Sequence, residues 1–338
     1  MAVDRVPFFV GGGAEHSPEV VRGFIYDSTG GAEGVSSVGG MRVLAQAVPN
    51  GTVRVVSGGC LLNNRYPGGA GQSYEGRNAT QTDVAITATG SGGGRTDLIV
   101  ARVLDPQYEG QPPADPNAFD YFRLAVIQGV PSGTLTFKEL NLDYPAIELA
   151  KVTLPSSTAT ITQAMITDLR TVAQPREKTV VMPRPNVTGD AGMALTSRGA
   201  YPAGEWFPNV GGNANNGRYD IPVPSWATRM QIRCEWLSVR YKANPGAGYY
   251  WVAYGPDSVG STPTSYTQGF GWDSDDATST TNWLLEQEVP IPSAWRGTTI
   301  PFVPRANKTT DTSYPGSVAL TARSGMVFSV RFLEVADV

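Results

Sequence analysis

The chain has a single histidine, His16, among its 338 residues. One imidazole cannot build a Ser-His-Asp arrangement or a histidine metal site within one chain. Cysteine is nearly as scarce: Cys60 and Cys234 lie far apart, so no disulfide framework is indicated, and two lone thiols make no zinc site. Both read as small buried hydrophobes. Charged residues are 17% of the total and the formal net charge is −4, which leaves no basic footprint for nucleic acid. The same balance speaks against a cationic membrane-binding face. No apolar run approaches the roughly 18 residues of a membrane span. The short run Pro7 to Val10 has no cationic start and no cleavage pattern. It is therefore no secretory signal, and folding in a cytoplasm is expected, with no cofactor and no membrane insertion.

Turn-forming residues are abundant. With 39 Gly and 26 Pro, long helices are disfavoured, while 41% hydrophobic content is enough for a packed core. The length suits two domains. Residues 1–46 read as an arm with one helix, capped by Ser17, opened by Pro18 and Glu19, and stopped at Gly30 and Gly31. Gly23 inside it costs about 1 kcal/mol.

Residues 47–173 read as a β sandwich or barrel. Its expected strands are Thr52 to Val56, Thr82 to Thr89, Leu98 to Val103, Phe122 to Ile127 and Ile147 to Leu154. Glycines 90–94 resemble a phosphate cradle only in being glycines, because no lysine follows and no helix opens, so a hairpin turn is expected.

Residues 174–217, with five prolines and the run GGNANNG, read as a Pro/Gly-rich linker or loosely held extension in which Thr179 to Met182 can pair as one short strand. Residues 218–338 alternate again. Met230, Ile232, Cys234 and Trp236 share one face, as do Met326, Phe328, Val330 and Phe332. Strands at both ends with long loops between them predict a jelly-roll-like β-sandwich. The fold class is thus mainly β.

Four strings in the first half carry a further signal. They are PFFVGGGAEHSPEVVR (Pro7 to Arg22), NNRYPGGAGQSYEGRNAT (Asn63 to Thr80), GRTDLIVARVLDPQYEGQ (Gly94 to Gln111) and ITQAMITDLR (Ile161 to Arg170). The last predicts a short helix with Met165, Ile166 and Leu169 on one face. Together, over roughly the first 175 residues, they resemble minor tail proteins of long-tailed phages that infect actinobacteria. The resemblance implies a virion protein at the tail tip, made in the host bacterial cytoplasm. It implies other tail proteins as partners, a homotrimer, and a variable C-terminal part facing the host.

All seven tryptophans follow residue 200. Trp236, Trp251 and Trp283 read as sandwich core. Trp272 sits in the polar run Thr267 to Asn282, and an aromatic face beside carboxylates suits a sugar. The candidate glycan-binding residues are therefore Trp272, Asp273, Asp275, Tyr250 and Tyr254. A calcium reading of Asp273, Asp275 and Asp276 fails the helix-loop-helix pattern, since no glycine stands sixth and Leu284 stands twelfth. Glu286 and Glu288 project from one strand face about 7 Å apart, a spacing seen in glycosidases, but any exposed strand carries such pairs.

The expected function is a structural minor tail protein that contacts host surface glycans and is not an enzyme. The alternatives are a glycan-depolymerising enzyme of the tail and a purely architectural protein.

Overall fold

The computed structural model describes residues 17–185, 193–199, 204–208, 217–242, 244–256, 265–273 and 278–336. Two compact units divide the chain between Pro175 and Arg176, the last few residues from Val335 rejoining the first. His16 lies outside the described residues.

The first unit opens with helix α1 (Pro18–Thr29). The Ser17 side chain accepts from the Val20 amide at 3.4 Å, and Gly30 ends the helix at φ 63°, the left-handed conformation that a Cβ disfavours. Ten strands follow: β1 (Gly34–Val35), β2 (Val43–Ala45), β3 (Thr52–Val55), β4 (Gly58–Asn63), β5 (Ser73–Asn78), β6 (Thr82–Ala85), β7 (Arg95–Val103), β8 (Phe122–Ile127), β9 (Ala146–Leu154) and β10 (Ile166–Asp168). They form three antiparallel sheets, β1-β4-β5, β2-β3-β6 and β10-β9-β7-β8. Because α1, β1 and β2 build this unit, the expected arm of residues 1–46 has no boundary at its C-terminal end.

β7 explains the apolar run in its sequence. Ile99, Ala101 and Val103 enter the main core with Val53, Cys60, Leu62 and Leu149, while Leu98 and Val100 pack on the other face against Phe137 and Val130. A strand buried on both faces is apolar at nearly every position.

Two expectations change. The glycine run 90–94 joins β6 to β7, which lie in different sheets, so it is a turn but not a hairpin. The expected helix at Met165 to Leu169 is a 3-10 turn, Gln163–Met165, running into β10. There Ile166 pairs with Val152 of β9, and the β-branched Ile166 and Thr167 suit a ladder better than a helix.

The second unit contains β11 (Glu177–Pro185), β12 (Met193–Ala194), β13 (Glu205–Trp206), β14 (Tyr219–Pro222), β15 (Arg229–Lys242), β16 (Gly246–Tyr254), β17 (Gln268–Trp272), β18 (Ser279–Pro290), β19 (Thr299–Lys308), β20 (Ser317–Leu320) and β21 (Gly325–Leu333). One sheet runs β11-β21-β15-β18 and the facing sheet β14-β19-β16-β17, with β12, β13 and β20 as short additions. Among those eight principal strands, the first sheet takes the first, eighth, third and sixth, and the second takes the second, seventh, fourth and fifth. That is jelly-roll order.

The expected alternation holds: Met230, Ile232, Cys234 and Trp236 of β15 and Met326, Phe328, Val330 and Phe332 of β21 are all buried in one core. Each such side chain contributes on the order of 1.5–3 kcal/mol by leaving water. The expected linker at 174–217 is corrected at its start. β11 is a nine-residue strand pairing along the whole of β21, from Glu177 with Leu333 to Pro185 with Gly325. Its prolines are tolerated because β11 is the outermost strand of its sheet.

Candidate functional site

Trp272, Tyr250 and Tyr254, expected to bind a glycan, do not present their rings on one open surface. Trp272 is not in a loop: it ends β17, paired with Gly246 of β16. Its indole stacks on the Tyr241 ring at 4.2 Å and 5°, and a Cβ at Gly246 or Gly316 would come within 1.8 Å or 2.4 Å of it. The two glycines thus form a slot that takes the indole, and Tyr241 covers a ring face that a sugar would need. Tyr250 is 6% exposed and its ring stacks on Trp283 at 4.8 Å, with its hydroxyl donating to the Leu284 carbonyl. Tyr254, 7% exposed, packs against Phe302 and Trp295. Asp273 is exposed, and Asp275 and Asp276 lie outside the described residues.

Tyr250 and the Tyr241 partner of Trp272 instead belong to a run of ring contacts between the two sheets, stacked except for the last pair, which meets edge-on. Tyr241, Phe270, Trp283, Tyr250 and Trp236 follow one another at centroid spacings of 6.1, 4.6, 4.8 and 5.3 Å. Trp283 Nε1 donates to the Tyr241 hydroxyl at 2.6 Å, and Trp236 Nε1 to the Phe207 carbonyl at 2.8 Å. Such pairs add about 0.5–1.5 kcal/mol each beyond their buried area. Trp236, Trp251 and Trp283 are core, as expected.

Glu286 and Glu288 stand exposed on the outer sheet face, each engaged by β15. Gln231 donates to Glu286 at 2.6 Å, and Arg229 pairs with Glu288 at 3.1 Å. Among the described residues no group of three or more His, Cys, Asp or Glu side chains could hold a metal ion. No helix among them is long and apolar enough to cross a membrane.

The cluster that does assemble lies in the first unit, and sequence reading missed it. Arg22 of α1 has a side chain only 9% exposed. Its Nε donates to Gln72 at 2.6 Å, Nη1 to Asp105 at 3.1 Å and Nη2 to Gln107 at 2.8 Å. The guanidinium lies over the rings of Tyr74 and Tyr108, at 5.3 and 5.6 Å. Tyr74 donates its hydroxyl to Asp105 at 2.8 Å, and Tyr66 stacks on Tyr108 while donating to Glu109 at 2.8 Å. Burial pushes Tyr66 up to about 12 and raises Tyr74 as well, so both stay protonated donors. Glu109 in turn pairs with Arg102, which lies 3.8 Å over Tyr144.

Arg170 closes the unit elsewhere. Its side chain is 1% exposed, held by Asp168 at 2.6 Å, and Nη1 donates to the carbonyls of Val38 and Gly40. These groups supply no nucleophile poised beside a base. What they do chemically is satisfy two buried guanidinium ions and fasten helix and loops to the sheets. The only signal in the chain was the clustering of Gln, Tyr and Asp in the motif strings.

No family model matches the chain, and no curated protein matches it. Solved structures give distant matches. The infectious bursal disease virus VP2 subviral particle aligns over 90% of this chain and 68% of that one, at 11% identity and a TM-score of 0.21. PNGase F, a glycosylasparaginase from Flavobacterium meningosepticum, aligns over 74% and 87%, at 8% identity and 0.26. The Cry4Aa toxin from Bacillus thuringiensis aligns over 90% and 52%, at 11% and 0.20. Likeness this slight carries no argument about function, and the β-sandwich assignment rests on the strand order itself.

Proposed function

We propose that the chain is a structural minor tail protein at a phage tail tip, anchored by its first unit and presenting its jelly roll to the host surface. One observation carries the reading: all four tail-protein strings contribute to the first unit, and residues from three of them meet around Arg22. Arg22 comes from the first string, Tyr66, Gln72 and Tyr74 from the second, and Asp105, Gln107 and Tyr108 from the third. That arrangement supports a scaffolding role for the strings. The jelly-roll order of the second unit suits this role, as the fold serves capsid and lectin domains alike.

Antibodies raised against the full chain should label the tail tip of intact virions in immunogold micrographs. Label on the capsid, or none, would overturn the reading. Glycan contact is the finer part of the proposal. Tyr249 and Tyr266, at 44% and 42% exposure, are aromatics of the second unit still open to solvent. The full chain should bind host cell-wall preparations saturably, and a Tyr249→Ala, Tyr266→Ala double variant should bind at least tenfold less. No binding by the parent chain would favour the purely architectural reading.

A further inference from the structure

Strands β6 and β8 are outermost in their sheets: among the described residues β6 pairs only with β3, and β8 only with β7. Each therefore presents a row of main-chain donors and acceptors that no neighbouring strand takes up. Just past the C-terminal ends of both, Gln128 Nε2 donates to Thr87 Oγ1 at 2.9 Å and clasps the two edges together. Residues 82–85, Asp120 and 122–124, with Arg77 and Asn78 of β5, line an open recess of about 490 Å³. That size falls among ordinary ligand sites. Val84, Phe122 and Leu124 give it an apolar part, and Phe122 is seated so closely on Gly76 that a Cβ there would lie 2.2 Å from its ring.

The rest of the lining carries both signs of charge. Arg77, Asp83, Asp120 and Arg123 are exposed, and among the described residues none of the four forms an ion pair. Arg123 donates from Nε to the Asp120 main-chain carbonyl at 2.8 Å and lies 5.1 Å over Phe119. Elsewhere in this unit Arg22, Arg65, Arg95, Arg102 and Arg170 are paired with carboxylates, and Arg54 donates to the Gln46 side chain.

We propose that this recess receives an extended peptide strand of mixed charge from a different protein. Only a strand answers all three features together. Its main chain pairs with an open edge, alternate side chains enter the apolar part, and the others bring an acid to Arg77 and Arg123 and a base to Asp83 and Asp120. A polyanion such as nucleic acid would meet both aspartates, and a small ion would satisfy only one sign. This inference stands whether or not the protein works at a tail tip.

The test uses the full chain and a labelled ten-residue peptide that alternates valine with lysine and aspartate. A control peptide has serine in place of every lysine and aspartate. Fluorescence anisotropy should show saturable binding of the mixed-charge peptide and at least tenfold weaker binding of the control. The double variant Asp83→Lys, Asp120→Lys, altered only at exposed positions, should bind the mixed-charge peptide at least tenfold less. Equal binding of the two peptides, no binding, or unaltered binding by the variant would overturn the proposal. So would concentration-dependent self-association that the peptide competes away, which would assign the recess to a second copy of this chain.

Discussion

The Arg22 guanidinium and the Asp105 carboxylate meet at 3.1 Å across 83 residues of chain, inside a ring of Gln72, Gln107, Tyr74 and Tyr108. Removing one partner of a buried pair strands the other charge, which costs far more than the pair contributes on balance. Arg22→Met should therefore destabilise the first unit by about 3 kcal/mol. Arg229→Met, on an exposed pair with Glu288, should leave the unfolding midpoint nearly unchanged. Urea unfolding of the three proteins checks this, and equal midpoints for Arg22→Met and the parent would refute the anchoring role of Arg22.

Trp272 behaves as core in the structure and as a loop residue in the sequence, and substitution separates the two. Trp272→Ala should cost about 3 kcal/mol, toward the low end for a large aromatic because the indole is only half-buried. Gly246→Ala should cost about 1–3 kcal/mol through the overlap its Cβ makes with the indole. In the Trp272→Ala background that penalty should largely vanish, since the overlapping ring is gone. A double-mutant cycle on unfolding free energies reads the coupling, and additive costs would contradict the slot.

Two glutamates of the first unit give opposite pH dependences. The hydrogen bond from Arg102 holds the Glu109 carboxyl below the usual glutamate range. The unfolded chain then takes up that proton more readily, so the contribution is present above the ordinary glutamate range and lost as pH falls through it. Burial raises Glu33, outweighing the pull of Arg65, so its contribution is present at low pH and lost as pH rises. Glu109→Gln should lower the melting temperature at about pH 7, and Glu33→Gln should raise it there. Both differences should shrink as the pH falls below about 4, where glutamate carboxyls take up protons. Differences of the same sign for the two variants would contradict the assignment.

Both thiols should be inert while the protein is folded. Burial pushes Cys60 up to about 12 and Cys234 well above its usual value, and both are fully buried. The thiolate is the reactive form, so an aromatic disulfide reagent should label neither at about pH 8 until denaturant is added. Labelling of either residue in the folded protein would show an opening of the core.

Much of the fold was legible because local physics governs it. The Ser17 cap and the left-handed Gly30 bound α1 as expected, for a hydroxyl acceptor and a missing Cβ act within one turn. Alternation in β15 and β21 exposed their inner faces, since a strand repeats every two residues whatever it pairs with. The same reasoning caught only the middle of β11, Thr179 to Met182. Its prolines argue against a strand, and only its place at the sheet edge, beside β21, makes them harmless.

The candidate glycan site was illegible for a related reason. Polar neighbours in sequence made Trp272 look open, but its burial depends on Tyr241, Gly246 and Gly316, which strand pairing brings to it. Tyr250 and Tyr254 were similarly ambiguous, because a tyrosine in a strand points to core or solvent according to the register.

The amino-acid order by itself determined the β class, the capped helix, the inward faces of the long strands and the want of histidine chemistry, all set by composition and by periods of a few residues. Only the tertiary structure decided which strands share a sheet, which aromatics lie between sheets, and which charges meet Arg22. Those choices depend on chain closures over dozens of residues, where the energy of a contact is known only once both partners have arrived.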